Sequence, residues 1–293
     1  MVNAGSTSLK RHLVEGDEAR EVDGYPDADA VGHRVVHGGP ITEPRVIDDE
    51  LIARLEELWP LAPLHNAPAL TAIRDAMAAL PQRTHVAVFD TAFHASIPAE
   101  AATYAIPARW REEWGVHRYG FHGLAVQSVW EQLRVERLVV CHLGGGCSVT
   151  AVFNGRSVDT TMGFSPLEGV PMATRSGSVD PGALIYLLEA RGLSVEALDS
   201  ALEHESGLAA LGGLDDQLGF AVFTYRVAAA AAQMAMALGG VDVIAFSGGV
   251  GENRADVRAA VAERLAFLGD VRVEVVPARE EQVIARETLR TLA

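Results

Sequence analysis

A chain of 293 residues, 49% hydrophobic and 22% charged, has apolar material for one large or two medium domains and is far from the composition of a disordered segment. Its 39 acidic against 24 basic side chains, a net charge of −15, argue against nucleic-acid partners and anionic membrane surfaces, but leave room for a local cationic pocket. Lys10 is the one lysine, so any anion site must rest on arginine, backbone amides or metal. Cys141 and Cys147 are too few for a disulfide scaffold and suit a reducing cytoplasm.

The opening "MVNAGSTSLKRHL" lacks the apolar core of a signal peptide. Within it "NAGSTS" (3–8) is a run of polar, glycine and small residues beside apolar sequence. In "GHRVVHGGP" (32–40) the two-residue period of a strand puts Arg34 and Val36 on one face, and His33, Val35 and His37 on the other. A cation beside a small branched group suits a ligand with a charged head and a short alkyl tail; the alternative is an arginine paired with a distant carboxylate. His33 and His37, on the other face, are of less interest. "RVIDDELIARLEELWPL" predicts a helix capped by Asp48, with Leu51, Ile52, Leu55 and Leu58 at helical spacing. "HVAVFD" (85–90) is a short buried strand ending on Asp90, which fits either a functional carboxylate or a helix cap.

"HRYGFHG" (117–123) then offers His122 beside Phe121. "RLVVCHL" (137–143) and "CSVTAVF" (147–153) predict two more strands, and Asn154-Gly155 a hairpin turn. "MATRSGSVDP" (172–181) carries Arg175 in a loop. "VAAAAAQMAMAL", with Gln233 inside, reads as a buried alanine-rich helix too short to cross a bilayer. "VDVIAFSGG" (241–249) is a strand running into a glycine pair, followed by the helix of "RADVRAAVAERLAFLG", the strand "VRVEVV" and a last helix from about Arg279. The alternation argues for an α/β architecture.

The chain has no Walker A lysine, no complete dinucleotide fingerprint, no G-x-S-x-G elbow and no H-E-x-x-H. What remains points to phosphate. "HLGGGCS" and "SGGVGEN" each follow a buried strand with consecutive glycines, which let backbone N–H groups approach phosphate oxygens. "NAGSTS" echoes the first of them, as two halves of a duplicated fold would. Paired arginines suit the oxygens of a phosphoryl group in flight.

Taken together these stretches resemble the acetate kinase family, which belongs with sugar kinases, heat-shock chaperones and actin. The resemblance rests on "NAGSTSLK", "GHRVVHGG", "LAPLHNAP", "VFDTAFHASIP", "RYGFHG", "CHLGGGCSV", "SVDTTMGFSPLEGVPMATRSGSVDP", "FSGGVGENR" and "PAREEQVIARET", in family order from end to end. It implies a two-lobed, duplicated actin-like fold of mixed sheets flanked by helices with a cleft between lobes. The lobes would be residues 1–92 with 281–293, shortened, and 93–280. It also implies ATP, Mg2+, cytoplasmic location, a possible homodimer, and in-line phosphoryl transfer to a short-chain carboxylate such as acetate or propionate. Arg34 and Arg175 would contact the carboxylate and the phosphoryl group, His122 would stabilise that group, and Asp90 would act at the magnesium or the acceptor oxygen. Glu280 matches a magnesium-linked glutamate, with Glu281 as the adjacent possibility. Asn3, Ser6 and Ser8 match the first phosphate loop; His142, Gly144 and Gly146 the second; Gly248, Gly249 and Gly251 the nucleotide-side loop. Val36, Leu64, Phe121 and Pro166, with His65 beside them, match the pocket for the alkyl end.

The chain departs from the family in being shorter between Lys10 and Gly32 and between Arg254 and Val276. It also has Gln217 of "LDDQ" where an arginine near the adenosine is expected. An altered phosphoryl donor or acceptor, or a nucleotide-binding regulator without turnover, are the alternatives these departures raise.

Overall fold

The computed structural model describes residues 1–4, 9–16, 18–58 and 63–293, with the side chains of all of these except residues 4 and 63–66. In chain order the strands are β1 (Val2–Ala4), β2 (Leu9–Glu15), β3 (Glu18–Glu21), β4 (Ala30–Val35), β5 (Arg45–Val46), β6 (Thr84–Phe89), β7 (Arg137–Leu143), β8 (Cys147–Phe153), β9 (Arg156–Thr160), β10 (Val243–Ser247) and β11 (Arg272–Val275). The helices are α1 (Asp49–Glu57), α2 (Pro63–Ala79), α3 (Ala99–Ala102), α4 (Ala108–Glu112), α5 (Gly123–Leu133), α6 (Pro181–Arg191), α7 (Val195–His204), α8 (Gln217–Ala237), α9 (Gly248–Asn253), α10 (Ala255–Arg264) and α11 (Glu280–Leu292).

Two compact units divide the chain: Met1–Ala95 with Phe121–Ser128 and Arg279–Ala293, and Ser96–Gly120 with Val129–Ala278. The first therefore takes in Phe121–Ser128, which lie inside the expected second lobe. Hydrogen bonds draw them there: Gly123 N donates to Asp90 O (3.1 Å), and Ser128 Oγ accepts from Arg279 N (2.8 Å).

The sheet of the first unit has the order β3-β2-β1-β4-β6-β5. β3, β2 and β1 form an antiparallel meander, and β1, β4 and β6 run parallel. On one face Val86 and Val88 pack with Leu124, Val283 and Ile284. On the other, Val35, Ala87 and Phe89 pack with Leu51, Leu55, Leu70 and Ile73 of α1 and α2. The expected Asp48 cap is present, accepting from Leu51 N at 2.8 Å. Alternation along β4 holds as far as the strand runs. His33 shares the α1 and α2 side with Val35, where its Nε2 lies 2.9 Å from His85 Nδ1, and Arg34 looks the other way. Burial, with His85 and the chain's amino terminus adding to it, pushes the His33 imidazole down to about 3.

The second unit repeats this plan, with the order β11-β10-β7-β8-β9. β7, β8 and β9 form the antiparallel meander, and β7, β10 and β11 run parallel. Asn154 and Gly155 turn between β8 and β9 with φ of 48° and 81°. The alanine-rich stretch corrects one expectation. α8 runs for 21 residues, long and apolar enough to span a bilayer by length and composition, because it begins well before "VAAAAAQMAMAL". Its buried row Phe223, Val227, Ala231 and Met234 packs on β7, β8, β9 and α10, which makes it the core helix of this unit.

Two outcomes follow from this packing. A Cβ at Gly123 would lie 2.1 Å from Asp90 O and 2.8 Å from Phe93 Cβ, so Gly123→Ala is expected to cost about 3 kcal/mol, read from urea unfolding. The His33 contribution is complete above the unfolded imidazole value near 6.5 and is lost as pH falls towards 3, because the unfolded chain takes a proton that the fold refuses. The slope is on the order of 1 kcal/mol per pH unit. Urea midpoints at pH 7 and 5 should therefore converge in His33→Gln relative to the parent.

Candidate active site

Arg34 is the centre of a polar group in the first unit. Its Nε donates to both Asp90 oxygens (3.0 and 3.2 Å) and its Nη2 to Oδ2 at 2.5 Å. Nη1 donates to Asn3 Oδ1 at 3.1 Å, and Glu280 Oε2 stands 3.7 Å from Nε. The parallel register that sets Asn3 opposite Arg34 brings β1 into the group, and the first turn of α11 brings Glu280. Arg34 thus has the distant carboxylate partner that its own strand lacks. Asp90 and Asn3 engage three of its five N–H groups, and among the described residues one on each terminal nitrogen remains for an anion. Burial works against the Arg34 charge, but Asp90 and Glu280 more than offset it and hold the guanidinium above its ordinary value. Burial likewise pushes the Asp90 carboxyl upward, with Arg34 opposing.

Beside this group the backbone is strained. His122 has φ of +62°, a left-handed conformation that costs a non-glycine residue about 1 kcal/mol or more. The surroundings impose it: His122 O accepts from Val126 N at the start of α5, while Gly123 is pinned on Asp90 O. Phe121 is buried, its carbonyl bonded to His94 Nε2 at 2.9 Å and its ring edge-on to His37 at 5.3 Å. The placement of His37 differs from the expectation. β4 ends at Val35, so Val36 and His37 are placed by the following loop and not by the period of the strand, and His37 packs against one of the residues expected at the acceptor pocket. Val36 is itself buried.

The second unit gathers its own set. His142 pairs with Ser247 across β7 and β10 and with Ser148 across β7 and β8. The two glycine loops lie close: a Cβ on Gly144 would sit 3.6 Å from Gly249 N. Gly248 N donates to Glu252 Oε1 at 2.9 Å, and Gly251 is buried in α9. Ala173 N reaches Gly145 O at 3.2 Å, which ties the Arg175 loop to the same place. Arg175 Nε donates to Glu203 Oε2 at 2.7 Å. Pro166 is buried in a loop braced by Arg118, whose Nη1 donates to the carbonyls of Thr160, Thr161 and Met162 while Nη2 pairs with Glu168. Glu168 also accepts from the Tyr104 hydroxyl.

Sequence reasoning missed Arg118, Glu168 and Glu203, although the first two lie inside "HRYGFHG" and "SPLEGVP". Gln217 opens α8 behind its cap Asp216, and the guanidinium at this turn comes from Arg254, which donates to Asp215 Oδ1 (3.2 Å) and Leu214 O (3.3 Å). Ser6 and Ser8 lie outside the described residues, as do the side chains of Leu64 and His65 at the start of α2.

Among the described residues no three His, Cys, Asp or Glu side chains cluster as a metal cage. A magnesium ion needs only one or two carboxylates beside substrate phosphates. Glu280, partly exposed and without a close hydrogen bond to Arg34, fits that role. Asp90 fits it less well, since both of its oxygens accept from Arg34.

The sequence profile of the Acetokinase family matches residues 17–290. The acetate kinase of Synechococcus sp. (strain JA-2-3B'a(2-13)) is 46% identical over 82% of this chain and 65% of its own length, just under two thirds. That of Deinococcus deserti is 43% identical over 90% of this chain and 78% of its own. Among solved structures, a propionate kinase from Francisella tularensis matches with a TM-score of 0.92 at 29% identity, covering 99% of this chain and 98% of that one. The shorter outline is therefore shared with that structure. Porphyromonas gingivalis acetate kinase matches at 0.85 and 35% identity, over 93% of this chain and 80% of that one. With a family profile spanning nearly the whole sequence and relatives this similar, the chain belongs to the acetokinase family.

Proposed function

We propose that the protein is an ATP-dependent carboxylate kinase that interconverts a short-chain carboxylate, acetate or propionate, with its acyl phosphate. The observation that carries this reading is the Arg34 group of the first unit, in which Asn3, Asp90 and Glu280 meet one guanidinium beside Phe121 and His122. A carboxylate oxygen forms a bond to the γ-phosphorus, and the bond from that phosphorus to the β–γ bridging oxygen breaks as ADP leaves with the electron pair. Arg34 orients the acceptor carboxylate, and Asp90 fixes Arg34. Val36 and Phe121, with Leu64 and His65, wall the alkyl end. His122 donates to the phosphoryl oxygens, for which its strained backbone is support.

In the second unit Arg175 meets the phosphoryl group, and Pro166 is kept as an apolar wall residue. The loops of His142, Gly144 and Gly146 and of Gly248, Gly249 and Gly251 hold nucleotide phosphates, a task shared by Asn3, Ser6 and Ser8. Magnesium bound through Glu280 and those phosphates would neutralise charge on the γ-phosphoryl group. The buried, reduced Cys141 and Cys147 support a cytoplasmic setting. A second reading keeps the carboxylate acceptor and changes the donor; it draws on the turn at Asp215, where Arg254 and not residue 217 supplies the guanidinium.

A homodimer is also proposed, through α6. This helix, "PGALIYLLEAR", buries none of its residues, and Ile185 and Tyr186 are half exposed.

Purified protein with ATP, magnesium and acetate or propionate should form acyl phosphate, trapped as the hydroxamate. Arg34→Ala should lose about 3–4 kcal/mol of transition-state stabilisation in kcat/KM. No acyl phosphate from any two- to four-carbon acid, with any nucleoside triphosphate or pyrophosphate as donor, would refute the assignment; nucleotide binding without transfer would then favour a regulator. Light scattering should report a dimer that Ile185→Asp converts to monomer, and a monomeric parent would remove the α6 interface.

A further inference from the structure

We propose that Glu203 is the positioning residue of Arg175. The proposal rests on the role given above to Arg175, that of meeting the transferring phosphoryl group. It starts from a recurrence. Both arginines assigned to anions are gripped on the Nε edge by a carboxylate from another part of the chain: Arg34 by Asp90, and Arg175 by Glu203 at 2.7 Å. A guanidinium held at Nε meets an anion with its terminal nitrogens, the edge that suits two phosphoryl oxygens at once. An arginine left to itself samples many rotamers, an entropy that an oriented contact must first overcome.

This ion pair differs from the surface pairs whose contribution is slight. The two side chains are only 16% and 13% exposed. Their backbones are also fixed against each other. Thr174 Oγ1 donates to Glu203 O (2.8 Å), Ser176 N to Leu202 O (3.1 Å), Ser206 N to Thr174 O (2.9 Å) and Leu208 N to Met172 O (2.8 Å). Gly207, at φ of +62°, allows the closest approach: a Cβ there would stand 2.3 Å from Met172 O and 2.4 Å from Arg175 O. The C-terminal turn of α7 and the Arg175 loop thus form one braced piece, and Ala173 N joins it to the second glycine loop at Gly145 O. Glu203 touches neither the acceptor nor the reacting phosphorus in this scheme; it acts through Arg175.

Steady-state kinetics on Glu203→Ala, Glu203→Gln, Arg175→Ala and the Glu203→Ala/Arg175→Ala pair test the assignment. Glu203→Ala is expected to lower kcat by about 10–100-fold, the scale of a misplaced catalytic contact, with KM for nucleotide and carboxylate within about twofold. Glu203→Gln, which keeps an acceptor for Nε, should retain more activity than Glu203→Ala and serves if the alanine variant fails to fold. In the Arg175→Ala background the loss of Glu203 should add nothing further. A full-size additional loss in that background overturns the proposal. So does a fall in thermal midpoint with kcat per folded enzyme unchanged. Arg175→Ala with parental turnover would overturn the role of Arg175 and this proposal with it, whereas a crippled Arg175→Ala beside a fully active Glu203→Ala overturns the Glu203 assignment alone.

Discussion

A guanidinium withdrawn from water must recover its hydrogen bonds from the protein, and Arg34 recovers them from residues that are far apart in the chain. Asn3 of β1 and Asp90 after β6 accept from it, while Glu280 of α11 adds a carboxylate nearby. Pairs of this kind commonly cost as much in desolvation as they return in attraction, so stability alone is a poor reason to keep one. What it does supply is geometry. Asp90 is held by Arg34, the Asp90 carbonyl accepts from Gly123 N, and His122 just before Gly123 has a left-handed backbone. The strain at His122 is thus the far end of a chain of contacts that begins at one arginine.

A related constraint governs the second unit, where hairpin loops and not charges do most of the assembling. The β7–β8 hairpin and the β10–α9 turn come together because their strands are neighbours, and the Gly145 carbonyl ties the Arg175 loop to them. In a protein with net charge −15, placing Arg34 and Arg175 each beside a carboxylate also limits the reach of the positive potential. An anion of the proposed reaction would meet a guanidinium that is already oriented.

Local sequence was a good guide wherever local physics decides. The strands 137–143 and 147–153, the Asp48 cap and the Asn154-Gly155 turn all follow from period, capping and turn chemistry. The face of Arg34 was legible for the same reason, but its partner was not, because Asp90 lies 56 positions away. His37 was set aside by carrying a strand period past the end of the strand. Glu203 sits in an ordinary amphipathic helix, and nothing nearby in sequence signals that its carboxylate closes on a loop 28 positions earlier. The association of Phe121–Ser128 with the first unit was hidden likewise, since it depends on a backbone contact to Asp90.

The repeated strand plan has a consequence for how the two halves have diverged. In both units an antiparallel meander leads into two parallel strands, so β6 and β11 end at equivalent points, as do β4 and β10. After β6 stands the buried carboxylate of Asp90; after β11 come Val276 and Pro277, which have no charge to offer. After β4 a valine and a histidine precede the glycines, whereas after β10 the glycines begin at once. The same strand plan therefore ends on side chains in one unit and, after β10, on glycine backbone in the other, so equivalent strand ends present a carboxylate in one place and bare amides in the other.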